Sequence, residues 1–241
     1  MKIVCYGDSN TYGFDPRLGT PGRLTKNERW TGILDSEPDI EIANEGMNGR
    51  CIPSASYEYR SLRKILERHY DADMLIIMLG SNDLFMTREA TPEKISDKMR
   101  NVFLNVPELI RWKTSGTMAA GNSRAAASEA SESSSSEDSM PASHRRILLI
   151  CPPAPSDRVL FYEMAGIPMS QSAESAARVM KELPEKLAAV AAEFGLEFAD
   201  ATKWNIACMF DGLHFSEEGH RTFAKQLLNR FFTNEERRQQ K

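Results

Sequence analysis

Four short segments of this sequence combine glycine with side chains that can act as nucleophile, base, acid or hydrogen-bond donor. They are Gly-Asp-Ser-Asn-Thr at 7–11, Asn-Glu-Gly-Met-Asn-Gly-Arg at 44–50, Gly-Ser-Asn-Asp at 80–83 and Asp-Gly-Leu-His-Phe at 211–215. Taken alone, each is more typical of a turn or a helix cap, because Asp, Ser and Asn satisfy free backbone amides and Gly adopts positive φ angles. Taken together, they contain every group that acyl transfer requires.

Ser9, His214 and Asp211 are the predicted catalytic residues. Near pH 7 a serine hydroxyl attacks an ester only if a base within hydrogen-bond reach takes its proton, and a histidine is suited to that work. Asp211 precedes His214 by three residues. One turn of a loop can therefore return the Asp211 carboxylate to the imidazole and orient it.

Three groups are predicted to donate hydrogen bonds to the oxyanion of the tetrahedral intermediate. They are the backbone N–H of Ser9, the backbone N–H of Gly49 and the side-chain amide of Asn82. Gly46 is the alternative to Gly49 in the second segment. Such donors lower the barrier to acyl transfer because they face charge that develops only in the transition state.

Short apolar runs alternate with longer segments of helical period, which predicts βαβ units on a parallel sheet. We predict strands at 2–6, 41–44, 74–79, 146–151 and 197–199, and helices at 57–69, 92–112, 172–194 and after Ser216, with a kink or restart at Pro184. Ligands of such sheets bind at the carboxyl ends of the strands. The four segments follow predicted strands, so the fold is expected to bring them together.

Composition argues against two classes of partner. The 30 Lys and Arg residues are outnumbered by 34 Asp and Glu residues, for a net charge of -4, so no basic excess is present to bind nucleic acid. The apolar runs are far shorter than the roughly 20 residues of a membrane helix, and no signal peptide is recognisable at the start. The expected compartment is the cytoplasm, with no membrane span.

The cysteines and histidines are scattered and match no ligand motif. No C-x-x-C pair occurs, and no cysteine has a neighbouring histidine at metal spacing: the residues are Cys5, Cys51, Cys151 and Cys208, and His69, His144, His214 and His220. We therefore expect no disulfide framework, no metal and no cofactor.

Residues 115–143 differ from the rest of the chain. They are nearly all Ser, Ala, Gly, Glu and Asp, a composition that buries too little apolar surface to offset the entropy of ordering. We interpret this stretch as a disordered insertion within a single domain that spans 1–241.

Several other side chains near the strand ends have two interpretations. Trp30, Phe85 and Phe161 are candidates for a substrate pocket, with packing in the core as the alternative. Arg50 suits either contact with an anionic substrate or an exposed structural role. Asp8 and Asp83 are interpreted as turn or cap residues.

The four segments resemble those of the SGNH, or GDSL-type, hydrolase superfamily over nearly the whole chain apart from the Ser-rich stretch. Gly-Asp-Ser-Asn-Thr-Tyr-Gly at 7–13, Arg-Trp-Thr-Gly at 29–32, Ile-Ile-Met-Leu-Gly-Ser-Asn-Asp at 76–83, Cys-Pro-Pro at 151–153 and Asp-Gly-Leu-His-Phe at 211–215 are most similar to its bacterial arylesterase and acyltransferase branch.

This resemblance implies a fold and a set of roles. The fold is a three-layer α/β/α arrangement with a five-stranded parallel sheet in flavodoxin-like order. The roles are those of a nucleophile for Ser9, oxyanion donors for Ser9, Gly49 and Asn82, and the remaining triad members for Asp211 and His214. The branch acts on short acyl groups without a metal and often forms homo-oligomers.

The expected function is therefore that of a serine esterase that hydrolyses small esters through an acyl-enzyme and transfers the acyl group to water or an alcohol. Within the same chemistry, the alternatives are a carbohydrate O-deacetylase and a lysophospholipase, because loop residues rather than the triad select the ester. From another class, the alternative is a non-catalytic flavodoxin-like module that binds phosphate or nucleotide.

Overall fold

The computed structural model describes residues 1–17, 22–87, 89–114, 145–156 and 172–232. Within this part of the chain, five strands form one parallel sheet. They are β1 (Lys2–Gly7), β2 (Glu41–Gly46), β3 (Met74–Met78), β4 (Arg146–Cys151) and β5 (Glu197–Asp200). The strand order is β2-β1-β3-β4-β5, and each neighbouring pair is parallel. This order is the flavodoxin-like one, so the predicted fold class is confirmed.

Eight α-helices connect or follow these strands in the described residues. They are α1 (Ser9–Tyr12), α2 (Trp30–Leu34), α3 (Ser56–Arg68), α4 (Ser81–Met86), α5 (Pro92–Asn105), α6 (Glu108–Thr114), α7 (Ala173–Glu193) and α8 (Glu217–Phe231). None of them is long and apolar enough to cross a membrane. The predicted insertion at 115–143 lies outside the described residues.

The two faces of the sheet carry separate hydrophobic cores because side chains alternate along each strand. In β1, Val4 and Tyr6 face one core, which α3, α5 and α7 cover, while Ile3 and Cys5 face the other, which α2 and α8 cover. The sheet is thus the middle of three layers. Strands buried on both faces explain why β3 and β4 are continuous apolar runs.

One of the helix predictions differs from the structure, and for another the structure excludes one of its two alternatives. The segment predicted as one helix over 92–112 forms two helices, α5 and α6, separated at Pro107. Proline disfavours helical geometry in the residue before it, and Val106 accordingly ends α5 with φ of -122°. In contrast, α7 continues through Pro184 without a restart.

The start of α8 agrees with the prediction. Ser216 is its N-cap, and the Ser216 hydroxyl accepts a hydrogen bond from the N–H of Gly219 at 3.1 Å. This cap fixes where the chain leaves the loop at 209–215 and enters the helix. The loop that contains Asp211 and His214 is therefore anchored at its end by a regular element.

Candidate active site

Ser9 lies at the point where the central strand β1 turns into α1. β1 ends at Gly7, Asp8 is the N-cap of α1, and Ser9 is its first residue. The Asp8 carboxylate accepts the N–H of Asn10 at 2.9 Å, and Gly13 ends the helix with φ of 86°. This tight strand-to-helix turn places the Ser9 side chain at the carboxyl edge of the sheet, where parallel α/β folds bind ligands.

The structure brings the side chains of Ser9, His214 and Asp211 into one hydrogen-bonded series. His214 Nε2 lies 3.0 Å from Ser9 Oγ, and His214 Nδ1 lies 2.6 Å from Asp211 Oδ2. Asp211 Oδ1 also accepts the backbone N–H groups of Leu213 and His214, each at 3.1 Å. All three side chains are nearly buried, with exposures of 7% for Ser9 and His214 and 0% for Asp211.

The surroundings of Asp211 keep it ionised. Burial raises the pKa of the Asp211 carboxyl, but the hydrogen bond and charge of His214 and the two backbone N–H donors outweigh burial. The pKa of Asp211 is therefore lowered below its ordinary value. An ionised Asp211 can accept a hydrogen bond from Nδ1–H of His214, which leaves Nε2 as the unprotonated nitrogen facing Ser9.

Asp8, the neighbour of Ser9, is an acid in an unusual state. Its side chain is 1% exposed, and burial raises its pKa to about 6. The Asn10 N–H, His214, Ser81 and Arg50 favour its charged form, but burial outweighs them. The interpretation of Asp8 as a cap residue agrees with its bond to Asn10. Burial of the Asp8 carboxyl disfavours its charged form, so this cap is electrostatically unfavourable.

Replacing Asp8 with Asn is expected to flatten the pH dependence of stability. In the native state Asp8 ionises near pH 6, whereas in the unfolded chain it ionises near 3.8. The raised pKa stabilises the native state below the unfolded pKa, and this contribution is lost as the pH rises through 6. The wild type should therefore lose about 2 kcal/mol relative to Asp8→Asn between pH 4 and pH 8. Urea unfolding of both proteins across this range would measure the difference, and a constant difference would contradict the assignment.

Gly46 and Gly49, the two glycines that the sequence offers as oxyanion donors, have different surroundings. The N–H of Gly46 already donates to Asn44 Oδ1 at 2.9 Å, and a Cβ on Gly46 would lie 2.2 Å from the backbone nitrogen of Tyr12. Gly46 thus permits β2 and α1 to pack closely. Gly49 has φ of 72°, and a Cβ there would meet nothing within 4 Å. The space beside its Cα is open.

Asn82 joins the third segment to the second. Its Nδ2 donates to the backbone oxygen of Arg50 at 3.0 Å. A carboxamide nitrogen has two N–H groups, so the second one is available for another acceptor. This bond fixes the Asn82 amide beside the backbone that contains Gly49.

The structure gives Asp83 a larger role than that of a turn or cap residue. Asp83 is completely buried, its Oδ2 accepts the N–H of Ile52 at 2.8 Å, and its Oδ1 pairs with Lys98 at 2.8 Å. Lys98 also donates to Thr87 Oγ1. Asn82 and Asp83 therefore hold residues 50–52 at two consecutive points, a long-range role that local sequence does not reveal.

Arg50 is structural and partly buried rather than exposed. Its Nη1 donates to the backbone oxygen of Gly7 at 2.8 Å and to that of Glu45, and its guanidinium lies 4.2 Å from the centre of the Tyr6 ring. The side chain thus joins the ends of β1 and β2. Since the Arg50 backbone oxygen accepts from Asn82, one residue connects three of the four segments.

Phe14 is a site residue that the sequence analysis missed. Its ring centre lies 4.7 Å from that of His214, and the two rings are tilted by 55°. Phe14 follows Gly13, the C-cap of α1, so the contact packs the segment after α1 against the imidazole. No local pattern distinguishes Phe14 from a core aromatic residue.

The predicted pocket aromatics are placed differently from expectation where the structure describes them. Trp30 is completely buried in the core beneath α2 and α8, and its Nε1 donates to the backbone oxygen of Asn10 at 2.9 Å. Phe85 is 7% exposed and packs in the opposite core. Both placements correspond to the core alternative. Phe161 lies outside the described residues.

A metal centre is not assembled in the part of the chain that the structure describes. There, no three His, Cys, Asp or Glu side chains are grouped so that they could hold a metal ion. The four cysteines are unpaired as disulfides.

Comparisons with known proteins agree with this architecture. The family model of the GDSL-like lipases and acylhydrolases matches residues 3–227. Among solved structures, the aryl esterase of M. smegmatis is 26% identical with a TM-score of 0.63, over 95% of this chain and 98% of that one. A comparison with curated proteins gives no match.

Two further structures are similar in fold. Est24, described as a carbohydrate acetylesterase from Sinorhizobium meliloti, is 24% identical with a TM-score of 0.63, over 95% of this chain and 96% of that one. A putative arylesterase from Agrobacterium tumefaciens is 22% identical with a TM-score of 0.66, over the same shares. With the family model matching nearly the whole chain, this protein belongs to the GDSL-like lipase/acylhydrolase family of ester hydrolases.

Proposed function

We propose that this protein is a serine esterase that cleaves small esters through an acyl-enzyme on Ser9. The observation that carries the proposal is the hydrogen-bonded series at the carboxyl edge of the sheet, with 3.0 Å between Ser9 Oγ and His214 Nε2 and 2.6 Å between His214 Nδ1 and Asp211 Oδ2. A nucleophile bonded to a base that is itself oriented by an acid is the arrangement that acyl transfer uses.

In the acylation step, Ser9 Oγ attacks the ester carbonyl carbon while His214 Nε2 takes the hydroxyl proton. Asp211 stabilises the imidazolium that forms and keeps the proton on Nδ1. When the tetrahedral intermediate collapses, the carbon–oxygen bond to the leaving alcohol breaks. His214 returns the proton to that alcohol, and the acyl group stays on Ser9.

The developing oxyanion is stabilised by three donors. The Ser9 N–H belongs to the first turn of α1, where N–H groups lack intrahelical partners. The Gly49 N–H and the second N–H of Asn82 complete the set, and the bond from Asn82 to the Arg50 backbone supports their common placement. Removal of one such donor from a serine hydrolase costs about 3 kcal/mol of transition-state stabilisation.

In the deacylation step, a water molecule or an alcohol takes the place of the leaving group. His214 removes its proton as it attacks the acyl carbonyl, and Ser9 regains the proton on release. Attack by water gives hydrolysis, and attack by an alcohol gives acyl transfer. The same residues serve both outcomes.

Exposed apolar side chains support a small, uncharged acyl or aryl substrate. Met47 follows β2, Met86 ends α4 and Phe210 precedes Asp211, with exposures of 51%, 61% and 44%. Cys51 Sγ lies 3.8 Å from Met86 Sδ, so the chain after the 44–50 segment meets the end of α4 through sulfur-containing side chains. Met47 lies within the second of the four site segments, and Met86 and Phe210 are near the third and the fourth in the sequence. Apolar surface at an ester-binding site favours binding of the non-polar part of the ester.

A test with a small fluorophosphonate separates catalytic serines from other serines. We expect one phosphonyl adduct per chain, on Ser9, because only an activated serine displaces fluoride from phosphorus. Ser9→Ala should take up no label, whereas Ser36→Ala, a change at an exposed serine after α2, should be labelled as fast as wild type. Intact-protein and peptide mass spectrometry would locate the adduct. Labelling elsewhere, or none in wild type, would contradict the proposal.

The carbohydrate O-deacetylase is the second candidate, and the likeness to a structure described as a carbohydrate acetylesterase favours it. Acetylated sugars and p-nitrophenyl acetate share the acyl group and differ in the alcohol. We expect higher kcat/KM for p-nitrophenyl acetate than for p-nitrophenyl octanoate, and higher kcat/KM for the aryl ester than for an acetylated xyloside. The reverse order in the second pair would make the sugar ester the better substrate class.

A further inference from the structure

Asn10, the residue after Ser9, contacts the chain on both sides of His214. Its Nδ2 donates to the backbone oxygen of Leu213 at 3.2 Å, and its Oδ1 accepts the backbone N–H of Phe215 at 2.9 Å. The side chain is 4% exposed. Both ends of one carboxamide are thus used, and the two backbone groups they bind are the neighbours of the histidine.

Asn10 is itself held on both of its peptide groups. Its N–H donates to Asp8 Oδ1 at 2.9 Å, and its backbone oxygen accepts from Trp30 Nε1 at 2.9 Å. Trp30 is completely buried in the core under α2 and α8. The carboxamide therefore projects from a rigid part of the molecule.

The loop at 209–215, here called the histidine loop, has other outside contacts, from the Phe14 ring to His214 and from the Ser156 N–H to the Gly212 oxygen at 2.8 Å. Its remaining hydrogen bonds described so far, apart from that of His214 to Ser9, are internal to it. Asp211 binds the imidazole and the N–H groups of Leu213 and His214, and the N–H of Met209 donates to the His214 oxygen at 2.7 Å. These bonds fix the shape of the loop. They do not fix its distance from Ser9, because all of their atoms move with the loop.

We propose that Asn10 is a positioning residue that sets the separation between the nucleophile and the base. Resting on the proposed esterase function, this inference assigns to the Asn10 carboxamide the task of locking the loop onto the helix that bears Ser9. Because Asn10 follows Ser9 directly in the chain, its side chain ties the loop to the backbone that carries the nucleophile. A shift of about 1 Å at a reacting group costs about 100-fold in rate, so a bridge at this point acts on catalysis.

Two variants at this position test the inference. Asn10→Ala removes both hydrogen bonds but leaves a cavity. Asn10→Leu also removes both bonds and has a side chain of similar volume. It therefore serves as the folded variant if the cavity destabilises Asn10→Ala. We expect either variant to lower kcat for p-nitrophenyl acetate by roughly 30- to 100-fold and to change KM by less than about threefold. We expect kcat to fall more than KM changes because acylation and deacylation both use Ser9 and His214, whereas binding of the ester does not.

Asn44→Ala is the matched control. Asn44 is another carboxamide with three bonds at this edge of the sheet, to the backbone oxygen of Thr11, to Thr31 Oγ1 and to the N–H of Gly46, and none of them reaches the histidine loop. It should lower Tm as Asn10→Ala does and keep kcat within about threefold of wild type at temperatures where it is fully folded.

Amide hydrogen exchange adds a readout that needs no turnover. The Phe215 N–H should exchange faster in both Asn10 variants than in Asn44→Ala. Wild-type kcat in folded Asn10→Leu, an equal loss in Asn44→Ala, or unchanged Phe215 exchange would each overturn the inference. If instead wild type and Ser9→Ala turn over the ester equally, the proposed function fails and the inference fails with it, whereas a normal Asn10→Leu beside an inert Ser9→Ala removes the inference alone.

Discussion

Ser9→Ala and His214→Ala are each expected to lower kcat for p-nitrophenyl acetate by about 10⁴- to 10⁶-fold, to the residual level that binding and oxyanion donors provide. The double variant should be no slower than either single one. Ser9 needs His214 to lose its proton, and His214 has no nucleophile to serve once Ser9 is gone, so the two act as a unit. Rates corrected for spontaneous hydrolysis, with circular dichroism as a check of folding, would measure these effects.

Two comparisons make this expectation specific. Asp211→Asn should cost about 10⁴-fold, because an amide in place of the carboxylate no longer stabilises the imidazolium and selects the wrong tautomer. Ser36→Ala should retain the wild-type rate. Additive losses in the double variant, or substantial activity in folded Ser9→Ala, would show that the ester is cleaved by another route.

The pH dependence of stability is expected to depend strongly on His220, a histidine outside the catalytic series. His220 is completely buried, its Nδ1 accepts the backbone N–H of Trp30 at 3.3 Å, and its ring lies against Phe215. Burial, together with the charges of His214 and Arg29, lowers the pKa of His220 to about 3. Protonation would place a charge in the core and convert the acceptor nitrogen into a second donor facing the Trp30 N–H.

The lowered pKa of His220 determines whether stability rises or falls with pH. The unfolded chain binds a proton at His220 near pH 6.5, whereas the native state does so only near pH 3. The contribution of His220 to stability is present above the unfolded pKa and is lost as the pH falls toward the folded one. Between pH 7 and pH 4, wild type should lose about 3 kcal/mol relative to His220→Gln, whose amide does not titrate.

Urea unfolding of wild type and His220→Gln at several pH values and constant ionic strength would measure this loss. At pH 7 the variant is expected to be the less stable protein, because the glutamine fills the ring's space imperfectly. The two stability curves should then converge or cross on acidification. Parallel curves would mean that His220 is not protonated on unfolding in this range.

Much of the site was predictable because its residues are adjacent to strand ends and carry their chemistry in their types. The spacing of three between Asp211 and His214 predicts a bond within one loop, and such a bond is present at 2.6 Å. The runs that became β3 and β4 predict buried parallel strands, and both strands are buried on both faces. These features depend on residues that are close together in the chain, so they can be predicted from the sequence.

The residues that support the site were less predictable. Asp83 looks like a helix cap in sequence, yet it binds the N–H of Ile52 and Lys98, and Trp30 looks like a pocket aromatic, yet it is buried beneath α2 and α8. Each assignment depends on which distant segment packs against the residue. Residue type alone does not specify that partner.

Residue order alone is enough to predict the alternation of strands and helices, the parallel sheet and the residues able to act as nucleophile, base, acid and oxyanion donors. Apolar period and residue type are local properties, and they suffice for these conclusions. Tertiary packing brings Ser9 and His214, which are 205 residues apart, to within 3.0 Å and lets Asn10 bind both neighbours of His214. Such distances result from the packing of β1, α1 and the 209–215 loop on a common core, which no local pattern encodes.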